Sequence, residues 1–322
     1  MIDFSAAAES NRVRSRLLVG CLIGLAAAIG LALDGTMGTA GPGGVPVLTV
    51  LTVGGTTAAV WFANRAGDQL VMASLGAKPL VQTDLEHQQL ENIAREVAVA
   101  SGLPPPRVFV IPDPAPNALA TGRDPEHASI AVTSGLLDKL DRAQTQGVVA
   151  HEMAHIGNRD TKLGVMVAVL VGAIALLADL AWRARYIQPG QRRERSDSRG
   201  AEALLPLLLL ITALAPIASR LIAFAVSRQR EYLADATAVA LTRNPLALAS
   251  ALEAIAADPR PTRAGTRGTA HLFFVTPAPS WADAREGALA SLWATHPPIA
   301  ERIRRLRAMA GEATAPSAAE RV

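Results

Sequence analysis

Two histidines and a glutamate stand at a spacing that suits metal chemistry, in the stretch His151-Glu152-Met153-Ala154-His155. His155 follows His151 by four positions, so on a helix both imidazoles lie on the same face, one turn apart. Imidazoles at this spacing can reach one Zn²⁺ ion, and Glu152 is placed to act as a base toward water activated by the metal. The pattern predicts a hydrolytic zinc site, and the alternative is two ordinary histidines on a surface helix.

The motif requires a helix, and the surrounding sequence favours one. Asp141 is a suitable N-cap, because its side chain can accept hydrogen bonds from the free backbone amides of the first turn. The residues that follow are compatible with an apolar face, namely Ala143, Val148, Val149 and Ala154.

A catalytic zinc site needs three protein ligands and one open position. The single cysteine, Cys21, lies in an apolar run, so the third ligand must be another histidine or a carboxylate. Glu231 is the best candidate, because Asp235 follows four residues later on the same helical face. Glu231 can then bind the metal while Asp235 accepts the free ring N–H of His151 or His155. The alternative for Glu231 is a solvated surface acid.

Apolar residues gather in long blocks, which is unusual for a soluble protein. Half of the 322 residues are hydrophobic and only 18% are charged. The blocks Leu17 to Leu33 and Val45 to Ala63 approach the ~20 residues that span a bilayer as a helix. We predict a transmembrane hairpin with both ends in the cytoplasm, because arginines precede the first block and Arg65 follows the second. The alternative is a buried pair of core helices.

Two later blocks, Leu163 to Trp182 and Leu204 to Val226, predict a second hairpin. The loop between them carries six arginines, at positions 183, 185, 192, 193, 195 and 199, which opposes the positive-inside tendency if both blocks cross the membrane. Because His151 and Glu231 must meet at one metal, the chain between them crosses the bilayer twice or not at all. We expect two crossings, which leaves the catalytic residues in the cytoplasm.

The sequence between the hairpins predicts a soluble α/β part. Helical spacing indicates a helix from Asp84 to about Ala100, and apolar stretches predict three strands, at Arg107–Ile111, Asn117–Thr121 and Ser129–Val132. The expected fold class is α+β, a mostly helical integral membrane protein with a small β-sheet. The expected segments are 1–66 with the first hairpin, 67–162 with the metal helix, 163–226 with the second hairpin, 227–310 completing the soluble domain, and 311–322 as a disordered tail.

Four motifs in chain order resemble those of the HtpX-type membrane zinc metalloendopeptidases, which are related to the CAAX prenyl endopeptidases and the Oma-type proteases. They are NALATG at 117–122, HEMAH at 151–155, REYLAD at 230–235 and THPPIAERI at 295–303. The resemblance implies a gluzincin-like domain with one zinc ion per chain. It also implies an inner (cytoplasmic) membrane location, an active site facing the cytosol, and cleavage of membrane or misfolded proteins. The basic loop at 183–199 departs from the family pattern.

The resemblance also implies roles for individual residues. It assigns zinc binding to His151, His155 and Glu231. It assigns the base to Glu152 and the supporting acid to Asp235. It places His296 and Arg302 near the scissile bond, where His296 is a candidate for stabilising the oxyanion. The alternatives are a turn residue before Pro297 for His296 and a surface ion pair for Arg302.

An extended substrate would add as one more strand along the segment Asn117, Ala118, Leu119 and Ala120. The alternative is an ordinary edge strand that closes the sheet. The remaining histidines have no motif around them and are expected on the surface or in packing positions, namely His87, His127 and His271.

The expected function is therefore a membrane-integrated zinc endopeptidase with protein and peptide substrates. The lipid bilayer is an expected partner, and nucleic acid is not, because the net charge is only +3. One alternative is a narrow-specificity processing protease of the CAAX type, although the four apolar blocks favour the HtpX-type branch. The other is a non-catalytic zinc-binding membrane scaffold, which would have no need of Glu152 as a base.

Overall fold

The structure, a computed structural model, describes residues 4–37, 44–169, 228–265, 269–275 and 297–312. Its helices are α1 Ser5–Met37, α2 Val47–Ser74, α3 Leu85–Ser101, α4 Ser134–Lys139, α5 Arg142–Gly157, α6 Arg228–Thr242, α7 Pro245–Ala256 and α8 Ile299–Met309. Residues 160–169 are also helical. The strands are β1 Lys78–Pro79, β2 Arg107–Ile111, β3 Ala118–Thr121 and β4 Ser129–Thr133. This mostly helical chain with one small sheet confirms the predicted fold class.

Helices α1 and α2 contain the first two apolar blocks and pack against each other. The Asp34 carboxylate accepts hydrogen bonds from the backbone N–H groups of Leu48 and Thr49 at 3.0 and 2.9 Å, which caps the first turn of α2. Gly30 marks the closest approach, since a Cβ atom there would lie 2.4 Å from the Cα of Thr49. The sequence thus allows the two helices to meet backbone against backbone.

Helix α2 is the one helix in the described ranges that is long and apolar enough to cross a membrane. Its most apolar 18-residue window has a mean hydropathy of 1.4, and only 11% of that window is buried. Large apolar side chains on it are exposed, among them Val50, Leu51, Trp61 and Phe62. An apolar surface of this kind marks a membrane or protein contact. The helix then continues to Ser74, past the expected segment boundary at residue 66, and Val71 and Met72 pack on the sheet.

The sheet has the order β1-β2-β4-β3, and β2 and β4 are its parallel pair. Strand β3 lies at one edge and pairs antiparallel with β4, in a register that places Ala118 opposite Val132. The three predicted strands are confirmed, although β3 begins one residue later than expected. The side chain of Asn117 explains this start, because its Oδ1 accepts the backbone N–H of Ala118 and its Nδ2 donates to the carbonyl of Val275.

Helix α5 is the central helix of the soluble part. Its start is fixed by a capping box in which Asp141 and Gln144 exchange hydrogen bonds between side chain and backbone. It packs against α3, α6, α7 and β3. Buried side chains from all of these elements form one core, including Leu90, Ala118, Met153, Ala238 and Leu252. The predicted cap and helix are confirmed, and the core holds the metal motif rigidly.

Several predicted features lie outside the described residues. Of the expected second hairpin, only residues 163–169 are described, and there Leu163, Val165 and Val167 are buried. The rest of that hairpin, the basic loop, the tail from 313 and the segment 276–296 with His296 fall outside the described ranges.

Candidate metal centre

Helices α5 and α6 bring three potential metal ligands to one point. His151 and His155 project from α5, and Glu231 projects from the first turn of α6. The two Nε2 atoms lie 3.1 Å apart, and each lies 3.6 Å from one oxygen of the Glu231 carboxylate. One ligand atom from each residue falls within 4.8 Å of the other two. The three predicted ligands therefore come together, across 80 residues of sequence.

Each histidine is oriented by a carboxylate on its other ring nitrogen. His151 Nδ1 donates to Asp235 Oδ1 at 2.9 Å, and His155 Nδ1 donates to Asp160 Oδ2 at 2.9 Å. With the proton on Nδ1, the lone pair on Nε2 is available for a metal. Two such nitrogens and a carboxylate oxygen are a donor set that suits zinc, so the residues present fit the expected ion.

Asp160 is a residue of the candidate site that the sequence interpretation missed. Besides orienting His155, its Oδ1 accepts from Asn11 Nδ2 at 2.7 Å and from Arg230 Nη1 at 3.2 Å. The available signal was an acid five residues after the second histidine. Its contact with His155 depends on the chain turning at residues 158–159, where helix α5 has ended.

Glu152 lies beside the ligands and is 2% exposed. Burial raises the pKa of its carboxyl, and the interaction with the rings of His151 and His155, which favours the ionised form, only partly opposes this. A carboxylate with a raised pKa binds a proton more readily than an exposed glutamate does. Such a group is suited to taking a proton from water and passing it on.

The same cluster shifts the pKa values of His155 and Asp235. Burial lowers the pKa of His155, but its hydrogen bond to the Asp160 carboxylate and the charge of Glu231 outweigh this and raise the pKa to about 9. Burial raises the pKa of Asp235, but Arg302 and His151 outweigh it and lower the pKa to about 2. Asp235 is therefore an ionised acceptor at neutral pH.

Arg302 is 1% exposed and contacts the supporting acid of the metal centre. Its Nε and Nη2 donate to the two oxygens of Asp235 at 2.9 and 2.7 Å, and its Nη1 donates to the carbonyl of Phe274. The surface ion pair considered as an alternative is wrong, because the side chain is buried. These contacts favour a positioning role through Asp235, while a direct role in substrate binding stays a prediction.

A small cavity of about 60 Å³ opens beside the ligands. It is lined by Ala120 of the edge strand, by the ligands and Glu152, and by His271, Phe273 and Phe274. His271 was expected on the surface or in packing; it is 5% exposed and its Nε2 lies 3.1 Å from the carbonyl oxygen of Gly164. The structure thus adds the segment 271–274 to the site.

That segment also lies along the predicted substrate edge. Phe273 forms an antiparallel bridge with Leu119, and the backbone N–H of Phe274 donates to the carbonyl of Ala118 at 2.7 Å. The chain itself therefore occupies the edge at Ala118 and Leu119, while Ala120 faces the cavity. Substrate addition to this strand stays a prediction.

Comparison with known proteins gives consistent matches. A family profile described as peptidase family M48 matches residues 84–310. The chain is 45% identical over 250 residues to a protein named Protease HtpX homolog from Thermoanaerobacter pseudethanolicus, covering 77% of this chain and 80% of that protein. It is 42% identical over 303 residues to the Syntrophobacter fumaroxidans protein of the same name, covering 93% of this chain and 99% of that protein.

Among solved structures, the chain is similar to S. mikatae Ste24p, with a TM-score of 0.47 and 16% sequence identity. The matched part covers 94% of this chain and 66% of the Ste24p chain.

Proposed function

The chain belongs to peptidase family M48 and is a metallopeptidase, and on this premise we propose that it is a membrane-integrated zinc endopeptidase of the HtpX type. One observation carries the proposal: His151, His155 and Glu231 converge while Glu152 lines the same cavity. A structural metal site would need the three ligands but not the buried acid. The arrangement therefore favours an enzyme over a scaffold.

We assign zinc binding to His151, His155 and Glu231, and the base to Glu152. A zinc ion held by these three residues would supply Lewis acidity toward a scissile carbonyl and toward water. Glu152 takes the proton from water and returns it to the leaving amine. Its burial supports this role, because a raised pKa brings the carboxyl closer to the working pH.

Three further features complete the proposed site. His296 donates to the oxyanion that develops on the scissile carbonyl, and the predicted loss of turnover in a His296→Ala variant is ~10²–10³-fold with little change in metal content. Extended substrates add along β3 where Ala120 lines the cavity, beyond the part of the edge that Phe273 and Phe274 occupy. Arg302 acts by holding Asp235, which in turn orients His151.

The proposed substrates are membrane proteins or misfolded proteins, which makes the function one of protein quality control. Helix α2, with its exposed apolar side chains, supports a membrane location. The relatives of similar length, named Protease HtpX homolog, support the assignment as a protease. We place the catalytic part on the cytoplasmic side of the inner membrane, because the arginines at 12, 14, 16 and 65 flank the first hairpin on that side.

The test is a Glu152→Gln variant of the full chain, purified in detergent and assayed on an unfolded protein substrate. We expect proteolysis to fall by ~10²–10⁴-fold, as for loss of a general base, with the metal content unchanged. A Glu86→Gln variant on the exposed first turn of α3 is the matched control and should retain full activity. Undiminished proteolysis in Glu152→Gln would refute the assignment of the base.

The same inactive variant identifies the substrates. Expressed in cells, Glu152→Gln should hold uncleaved proteins, and mass spectrometry of the co-purified material should find integral membrane proteins in excess over a Glu152→Gln/His151→Ala control. Recovery of prenylated peptides alone would instead favour the narrow-specificity processing protease.

A further inference from the structure

A second cavity lies between helices α1 and α2 and the turn that follows α5. Its volume is about 370 Å³, far above the ~10–15 Å³ that one water needs. We call it the basic pocket, and it is lined by Asn11, Arg12, Ser15, Arg16, Val19, Asn64, Arg159, Lys162 and Met166. It shares no lining residue with the cavity at the metal centre.

The basic pocket has an excess of positive charge. Four of its lining residues are cationic and none is acidic. Arg12 has an exposed ion pair with Glu9, while Arg16, Arg159 and Lys162 have no ion-pair partner within the described part of the chain. Cations gathered in this way repel one another unless an anion lies between them. The pocket is therefore suited to a negatively charged ligand.

Glu9 pairs with Arg12, and two further carboxylates beside the lining residues are also already engaged. Asp160 accepts hydrogen bonds from His155 Nδ1, Asn11 Nδ2 and Arg230 Nη1. Asp68 forms an ion pair with Arg107 at 2.9 Å. Neither acid is available to neutralise the pocket without breaking those contacts, so the neutralising group must come from outside the described chain.

The walls of the basic pocket are held in place by buried polar contacts. Asn11 is 3% exposed, and its Nδ2 donates to the carbonyl of Asn158 at 2.8 Å as well as to Asp160. The next residue, Arg159, adopts a left-handed backbone with φ 59°. That conformation is strained for an arginine and persists only where the surroundings fix it. Asn11 and the backbone at Arg159 therefore form a fixed wall of the basic pocket, while Arg12 and Arg16 are exposed at its rim.

The position of the basic pocket along the helices indicates a membrane interface. Arg16 directly precedes the apolar block of α1, and Asn64 directly follows the apolar block of α2. Trp61 and Phe62, one turn before Asn64, are 66% and 46% exposed. Exposed aromatic side chains beside basic residues are typical of the depth at which lipid headgroups lie.

We propose that the basic pocket binds the phosphate headgroup of an anionic phospholipid from the cytoplasmic leaflet. The inference rests on the proposed membrane location. Guanidinium and ammonium groups form charge-assisted hydrogen bonds with phosphate oxygens, and basic pockets beside membrane helices bind anionic headgroups for this reason. The acyl chains then lie along the exposed apolar face of α2.

The test is lipid retention by the purified full chain, measured by native mass spectrometry while phosphatidylglycerol or phosphatidylcholine is titrated into the detergent. We expect phosphatidylglycerol to bind with saturation and phosphatidylcholine to bind at least tenfold more weakly. The double variant Arg16→Gln/Lys162→Gln should lose the preference, with its affinity for phosphatidylglycerol reduced about tenfold or more.

The matched control is the double variant Arg14→Gln/Arg65→Gln. It removes the same number of positive charges, one from α1 and one from α2, at positions that do not line the basic pocket. Equal losses in both double variants would overturn the site in favour of diffuse attraction to lipid. Displacement of phosphatidylglycerol by millimolar inorganic phosphate would show a free-anion site and overturn the lipid assignment. Recovery of the wild-type chain in the soluble fraction of cells would instead refute the membrane location itself.

Discussion

At the scale of single residues, the metal centre consists of two histidine–carboxylate pairs facing one glutamate. Asp235 orients His151, and Asp160 orients His155. Each pair fixes the ring so that Nε2 points toward Glu231. The carboxylates also make the imidazoles more basic and hence better ligands. Each supporting carboxylate can therefore be changed and tested without changing a metal ligand.

Replacing Asp160 by Asn should weaken metal binding without removing a ligand. We expect an affinity ~10–100-fold lower, because His155 loses its charged partner and part of its orientation. Competition with a chromogenic chelator measures the metal affinity. Asp138→Asn on the exposed end of α4 is the control, and an Asp160→Asn protein that binds metal as tightly as this control would exclude the proposed support.

The raised pKa of His155 predicts that protons compete with the metal. In the metal-free protein, the pKa of about 9 leaves His155 protonated at pH 7, and it must lose that proton to act as a ligand. Metal affinity should therefore rise as pH increases toward 9, by up to ~10-fold per pH unit, and level off above it. Calorimetry at pH 7 in two buffers of different ionisation enthalpy should detect one proton released per metal bound; no release would contradict the shift.

The same shift affects the stability of the metal-free chain. His155 binds a proton more tightly when folded than when unfolded, where its pKa is near 6.5. The resulting stabilisation is fully present below pH 6.5 and is lost as pH rises through about 9. Thermal unfolding in the presence of chelator should therefore show a melting temperature that falls over this range, and a His155→Gln variant should lack that fall.

Arg302 and Asp235 form a buried ion pair whose partners depend on each other. Replacing Arg302 by Met leaves the Asp235 carboxylate buried without its guanidinium, and breaking such a pair costs ~3–5 kcal/mol. We expect a lower free energy of unfolding, and adding Asp235→Asn should recover part of the loss because the uncompensated charge is removed. Arg304→Met, two residues along α8 and exposed, should cost under ~1 kcal/mol. Equal effects at the two positions would show that burial of the pair is unimportant.

At the scale of elements, the capping box at the start of α5 stabilises the helix that carries the motif. Asp141→Ala removes the acceptor for the Gln144 backbone N–H, and should cost ~0.5–2 kcal/mol. Thermal unfolding of Asp141→Ala, compared with that of the control Asp138→Ala, measures this loss of stability. Because residues 151–155 lie beyond the second turn of α5, metal binding should be unchanged in the folded protein.

The elements that the sequence predicted well are those whose signals are local. Helix α3 begins at its Asp84 cap and ends at Gly102 with φ 70°, and α5 begins at its Asp141 cap. The HExxH spacing is also local, and the acid pair at 231 and 235 requires only one helix. The contacts of Asp160, His271 and Arg302 depend on tertiary packing between distant segments, which no local pattern encodes. For that reason Asp160 and His271 were missed, and the burial of Arg302 was not predicted.

At the scale of the whole molecule, the first helix connects the proposed membrane segment to the metal centre. Asn11 of α1 donates to Asp160, which orients His155. The catalytic part is thereby hydrogen-bonded to the start of the first apolar block. Because Glu231 and His151 meet at one metal, both must lie on the same side of the membrane. The topology of the chain between them follows from this constraint.

Cysteine labelling can test that topology at two positions outside the described residues. In a Cys21→Ser background, which removes the exposed native thiol, Ser196→Cys and Ser280→Cys provide single sites. A membrane-impermeant reagent applied to intact cells should label position 196 and not 280, as expected for two crossings between residues 163 and 226. Labelling of both positions or of neither would contradict the second hairpin. It would not contradict the metal centre.

The most direct test of the central claim is metal content per chain, measured by inductively coupled plasma mass spectrometry on the purified full chain. We predict about one zinc in the wild type and in Glu152→Gln, and a fraction of that in Glu231→Ala. The first two values should agree because Glu152 is a base and not a ligand, while Glu231 completes the donor set with His151 and His155. Full zinc occupancy in Glu231→Ala at limiting metal, or loss of zinc from Glu152→Gln, would contradict the account.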